Sequence, residues 1–198
     1  SGCKSLTKIT IPDSVTNIEN SAFYGCKKLT SIIIPGTVNS IGNDAFSYCH
    51  SLKTITIPDS ITSIGDSAFL YCESLTEVTI PNSVKSIERA AFMDCTSLTT
   101  IIIPASVKNI GGLAFSGCSS LTSVVISDGV NRIGGHAFEG CTSLTSITIP
   151  SSINSISDDA FVGCYSLTSI VVAEDNNVYD SRENCNAIIE TGTNTLIL

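Results

Sequence analysis

Apolar residues fall along this chain in a pattern that repeats. Leu6, Leu29, Leu52, Leu75, Leu98, Leu121, Leu144 and Leu167 are spaced by 23 residues without a slip. The same spacing carries Cys3, Cys26, Cys49, Cys72, Cys95, Cys118, Cys141 and Cys164. It also carries Phe23, Phe46, Phe69, Phe92, Phe115, Phe138 and Phe161, each behind an alanine, and an isoleucine column from Ile18 to Ile156. One fixed period shared by this many columns identifies a tandem array.

Within a unit the spacing changes. Leu144, Ile147 and Ile149 follow L-x-x-I-x-I, and the last two alternate with Ser146 and Thr148 at the period of a strand. Pro150 has no N–H to give to a ladder and ends that strand. Ile153, Ile156, Ala160, Phe161 and Cys164 follow at helical steps, which predicts a helical or 3-10 turn with one buried side. One strand and one turn cannot bury their own apolar side chains, whereas stacked copies share a continuous core. L-x-x-L-x-L at a period of roughly 20 to 29 marks a leucine-rich repeat. The expected fold is an α/β repeat solenoid, a right-handed superhelix with one parallel β-sheet face and short helical or 3-10 turns on the other. Strands ~4.8 Å apart make the stack roughly 38 Å long.

The array is expected to fill residues 1–172, as seven to eight units with the first one partial. After Leu167 the next leucine falls due at Glu190, so the period ends. Residues 173–198 are irregular and acidic: Glu174, Asp175, Asp180, Glu183 and Glu190 against Arg182 amount to half of the net charge of −8. "NAIIET" and "NTLIL" around Gly192 read as two short strands and a turn, a hairpin-like cap on the last regular unit. The start inside a unit and the stop at Leu198 suggest a piece of a longer array.

Composition narrows the function. Apolar residues make up 42% and charged ones only 14%, which argues for a packed fold with a polar, weakly charged surface and against disorder. Ten scattered basic residues against eighteen acids suit neither nucleic acid nor an anionic membrane surface. No apolar run reaches the ~20 residues of a spanning helix, so no direct membrane insertion is expected from this segment.

Residues able to carry chemistry fall on a few columns and in the tail. His50 and His136 lie on turns ~19 Å apart, too far to share a metal or a proton, and read as exposed loop residues. Asp158 and Asp159 read as acids beside the N-terminus of the short helix. Asp175 to Asn184 has oxygen-bearing residues, but Tyr179 stands in a ligand slot and Asp180 where a calcium loop needs glycine. Equivalent cysteines point the same way, side by side, so neither a disulfide nor a four-ligand zinc site follows; they read as small buried hydrophobes. Cys185, outside the column, is the expected reactive thiol. Tyr24, Tyr48, Tyr71 and Tyr165, near the unit junctions, predict an exposed aromatic edge. No catalytic, metal or cofactor-binding residue is assigned, and no enzyme activity is expected.

Residues that alternate with the buried isoleucines point out from the sheet. Among them Ile33, Thr56, Thr79, Ile102, Val125, Thr148 and Val171 are the expected binding row, with the four aliphatic residues the first to test. The row holds no Tyr, Trp or Arg cluster of the kind that dominates tight interfaces, and β-branched residues also simply suit an exposed sheet.

"LTSIIIPGTVNSIGNDAFSYC" and its copies resemble the BspA-like (Treponema pallidum-type) leucine-rich repeats, across residues 2–172 almost column by column. Departures are small: Ser127 replaces the strand-ending proline, and glycine is missing after Ile18, Ile87 and Ile156. The resemblance implies a surface or secreted protein that adheres to host matrix proteins such as fibronectin, to host cells or to other bacteria. It brings no catalytic residues. The alternatives are a carbohydrate- or peptide-binding accessory module, with a glycan partner, and an intracellular protein-interaction scaffold.

Overall fold

A computed structural model describes residues 2–182 and 186–198. Strands are numbered in chain order. Each unit contributes one longer strand: β1 (Lys8–Thr10), β3 (Ser31–Ile33), β5 (Thr54–Thr56), β7 (Glu77–Thr79), β9 (Thr100–Ile103), β11 (Ser123–Ile126), β13 (Ser146–Ile149) and β15 (Ser169–Val172). They pair in parallel with partners displaced by one repeat, as Ile9 with Ile32 and Ile55 with Val78. This face is built as two four-stranded sheets, β1-β3-β5-β7 and β9-β11-β13-β15, rather than one. Where β7 meets β9, the Thr99 N–H reaches the Thr76 carbonyl at 3.4 Å.

The opposite face corrects the expected helical layer. Two-residue strands β2 (Asn17–Ile18), β4 (Ser40–Ile41), β6 (Ser63–Ile64), β8 (Ser86–Ile87), β10 (Asn109–Ile110), β12 (Arg132–Ile133) and β14 (Ser155–Ile156) form a seven-stranded parallel sheet. Among the described residues, no helix forms in the turns that follow. The fold is a parallel β-solenoid.

Backbone hydrogen bonding explains why a helix does not form. In the turn from Glu19 to Cys26, the N–H groups of Ala22, Tyr24 and Cys26 donate to carbonyls three residues back. The intervening ones, Ser21, Phe23 and Gly25, donate instead to Asn43, Ala45 and Ser47 of the next unit, each at 2.8 Å. A helix would turn every N–H inward along its own axis. Here alternate donors serve the neighbouring turn, and left-handed residues enforce it: Ser21, Asp44, Ser67, Ala90, Leu113 and His136 all have φ between 54° and 61°. The apolar spacing is helical because a tight turn with one buried side presents the same residues inward.

Between the two faces runs a continuous core. Phe46, Phe69, Phe92, Phe115 and Phe138 are fully buried, and rings on neighbouring units lie parallel with centroids 5.1–5.5 Å apart. Leu, Ile, Val, Ala and Cys columns surround them.

The last strands depart from the array. β16 (Tyr179–Asp180), β17 (Ile189–Glu190) and β18 (Thr195–Leu196) form an antiparallel sheet, with Ile189 opposite Leu196 and Asp180 opposite Ile189. The 23-residue register runs further than the leucines show. Asn176 lies one repeat beyond Ile153, and Tyr179 one repeat beyond Ile156. Two polar side chains thus continue two apolar columns. The buried Asn176 amide donates to the carbonyls of Pro150 and Ile153, at 2.8 and 3.0 Å. Its oxygen accepts from the N–H groups of Val178 and Tyr179.

Candidate interaction surfaces

On the long strands, the second and fourth residues enter the core and the first and third face solvent, which sets two outward rows. The first runs Lys8, Ser31, Thr54, Glu77 and then Thr100, Ser123, Ser146, Ser169, each beside its partner in the ladder. The second is the row singled out above. Ile33 sits between Thr10 and Thr56, and Thr56 beside Thr79; Ile102 pairs with Val125, and Thr148 with Val171. Ile33, Ile102, Val125 and Val171 are 78%, 62%, 50% and 51% exposed. Ile102 and Val125 therefore make a contiguous aliphatic step, while Ile33 stands apart from it behind two threonines. A shallow depression of about 210 Å³, lined by Glu77, Thr79, Asn82 and Ile102, lies where the two sheets abut.

The cysteines among the described residues are free thiols, buried from Cys26 to Cys141 and half-buried at Cys164, with Cys3 exposed. Six of them do more than fill space. Cys49, Cys72, Cys95, Cys118, Cys141 and Cys164 donate their S–H to the phenylalanine carbonyl of the preceding unit at 3.2–3.3 Å, Cys72 to Phe46 and Cys118 to Phe92. Burial pushes the thiols of Cys49 and Cys118 up to about 12, and those of Cys72 and Cys95 well above their ordinary range. The thiolate that redox chemistry or metal binding requires is thereby suppressed. Cys185 lies outside the described residues.

The histidines are half-buried and paired, not free loop residues. His50 Nδ1 lies 3.3 Å from Glu73 Oε1, and His136 Nε2 lies 3.0 Å from Asp159 Oδ2. Both acids stand one repeat beyond their histidine, so the pairs tie adjacent turns; that signal was present in the columns. His136 Nδ1 also approaches Glu139 at 3.4 Å. Asp159 has no helix to face. It accepts hydrogen bonds from the Ser157 hydroxyl at 2.7 Å and the His136 N–H at 3.1 Å, and the Ser157 bond is the main reason its carboxyl titrates below the usual range. Ser157 meets the acid rather than the imidazole, so the group is not arranged as a nucleophile and base. Among the described residues, no three His, Cys, Asp or Glu side chains are placed to hold a metal ion.

Tyr24, Tyr48 and Tyr71 do come together on the unit-junction edge, with neighbouring ring centroids 5.3 and 4.9 Å apart. Tyr165, 88% exposed, is several turns away.

The family model described as the BspA type leucine rich repeat region matches the chain in 6 copies, over residues 1–121 and 62–188. The chain belongs to that family. Among solved structures, this BspA-type array is similar to a leucine rich cell surface protein from Faecalibacterium prausnitzii, at 35% identity and a TM-score of 0.86 over 96% of this chain and 53% of that one. A leucine-rich repeat protein from Bacteroides ovatus matches at 36% identity and a TM-score of 0.81, over 85% of this chain and 46% of that one. The leucine rich repeat protein of T. pallidum matches at 33% identity and a TM-score of 0.76, over 82% of this chain and 78% of that one. The chain spans about half the length of the first two. No curated protein matches it. Among the described residues, no helix is long and apolar enough to cross a membrane.

Proposed function

We propose that this array is a protein-interaction module of a cell-surface or secreted protein, and that it binds through the outer row of its long-strand sheets. The observation that carries this reading is the aliphatic step of Ile102 beside Val125, both at least half exposed on a rigid, nearly uncharged surface. Two β-branched side chains held at fixed spacing offer apolar contact with little entropy left to lose. Exposed hydroxyl-bearing residues surround them, including Thr56, Thr79 and Thr148, and can satisfy the polar groups of a partner's backbone. Ile33 and Val171 extend the apolar contact toward either end. Adhesion to host matrix, host cell-surface or bacterial-surface proteins is the role such a face would serve. The surface location of the Faecalibacterium protein supports placing this module outside the cell.

The test is direct binding of the purified protein to immobilised fibronectin, other matrix proteins and bacterial-surface proteins, with a glycan array as a parallel arm. Ile102→Lys and Val125→Lys should each weaken protein binding about tenfold or more without changing the melting temperature. Protein binding that survives both substitutions, or glycan binding in its place, would sink the proposal.

A further inference from the structure

The tyrosine edge is a second surface, separate from the sheet row. His50 meets Tyr48 edge-on, with ring centroids 5.9 Å apart, and pairs with Glu73. The Tyr71 hydroxyl hydrogen-bonds the Asp94 carboxylate, whose charge is the main reason that phenol titrates above its usual range.

Two features set this edge apart from ordinary solvated surface. The second residue after each core phenylalanine is left-handed, with φ from 57° to 78°, and glycine fills the place at 25, 117, 140 and 163. Tyr48, Tyr71 and Asp94 fill it in the other three turns, at φ 61°, 57° and 58°. That conformation costs a residue with a Cβ roughly 1–2 kcal/mol, which glycine avoids. The turn takes that conformation in every unit, so what marks this edge is that side chains rather than glycine fill it here.

Charge also runs one way along the edge. Lys4, Lys27, His50 and Glu73 occupy one column, which is held in register by Ser74 N–H to the His50 carbonyl and Ser97 N–H to the Glu73 carbonyl. Lys4, Lys27 and the adjacent Lys28 are exposed at one end, while Glu73 and Asp94 stand at the other. Tyr24, Tyr48 and Tyr71 fill the middle.

A strip with a basic end, an aromatic centre and an acidic end is complementary to itself after half a rotation. That is the requirement of a two-fold interface, in which one patch serves both partners. We propose that a second copy of this chain docks antiparallel on the tyrosine edge. Tyr48 lies near the two-fold axis, with Lys27 and Lys28 of each copy facing Glu73 of the other and Lys4 facing Asp94. The rings supply rigid contact area, and the opposed charges set the register. This dimer leaves the sheet row free.

Sedimentation equilibrium of the 198-residue protein tests it. A monomer–dimer equilibrium in the micromolar range is expected, weakening as salt rises. Tyr48→Gly and Tyr71→Gly introduce the residue that four other turns already carry, so both variants fold; each should weaken the dimer at least about tenfold. Lys27→Glu with Lys28→Glu should abolish self-association, as should Glu73→Lys alone, and mixing those two proteins should restore a heterodimer. A protein that stays monomeric at millimolar concentration overturns the proposal. So does a dimer indifferent to both glycine variants, or a folded charge-reversed pair that fails to associate.

Discussion

The hydroxyl of Tyr179 accepts the N–H of Ile156 at 2.9 Å, across one full repeat. Within the array that direction of the short-strand sheet is answered by the next unit's backbone; at β14 a side chain answers it. Burial raises the Tyr179 phenol above its usual range, so the neutral hydroxyl persists to high pH. Tyr179→Phe keeps the ring and leaves a buried N–H without an acceptor, which costs about 1–3 kcal/mol. A urea melt should show that loss, and the Ile156 amide should exchange faster than in the parent protein.

Removing residues 173–198 should do more. Asn176 leaves the carbonyls of Pro150 and Ile153, and Ser181 and Asn186 leave the edge of β15 at Ile170. An uncovered strand edge above an open apolar core favours association. Light scattering on heating should show aggregation at a lower temperature; an unchanged melt and a monodisperse sample would contradict it.

Phe115 is fully buried between the parallel rings of Phe92 and Phe138, at 5.4 Å from each. Phe115→Ala should cost ~3–5 kcal/mol, because neighbours held by backbone ladders on both sides cannot collapse into the cavity. A loss below ~1 kcal/mol in denaturant melts would show that the column is not the core it looks to be.

Buried thiols make the protein sensitive to alkali. The ordinary value for Cys118 is 9.0, and burial holds it near 12 in the fold. Below pH 9 both states are protonated and the stability is intact. Above it the unfolded thiol ionises while the folded one does not, so stability falls until the pH reaches about 12. Each such thiol contributes a slope of ~1.4 kcal/mol per pH unit in that window. Stability of Cys118→Ala, measured from pH 8 to 11, should therefore start lower and fall less steeply, by about one thiol's share.

A Cβ at Gly111 would lie 2.6 Å from the Glu88 carbonyl carbon on the preceding turn. Gly111→Ala must push two backbone turns apart, at roughly 1–3 kcal/mol. Thermal melts should register the loss, although the same column holds Glu88 and Ser157 in other units.

The period, the long-strand positions and the buried identity of the Phe and Cys columns were legible in the sequence, because each inner unit is covered by a neighbour on both sides; Cys3 and Phe23 at the first turn lose that cover. The inter-turn histidine pairs were legible too, had the acids at Glu73 and Asp159 been read one repeat beyond His50 and His136. The path of the backbone in the turns was not. Spacing reports which side chains go inward, and Ile153, Ile156, Ala160, Phe161 and Cys164 go inward in this turn as they would in a helix. What the turn becomes depends on where its N–H groups find acceptors. Phe138 donates to the Ala160 carbonyl of the next unit at 2.8 Å, an acceptor that exists only once the units are stacked. Tertiary structure therefore decided between helix and solenoid turn, and it alone placed Tyr48 and Tyr71 in a strained backbone on a common edge.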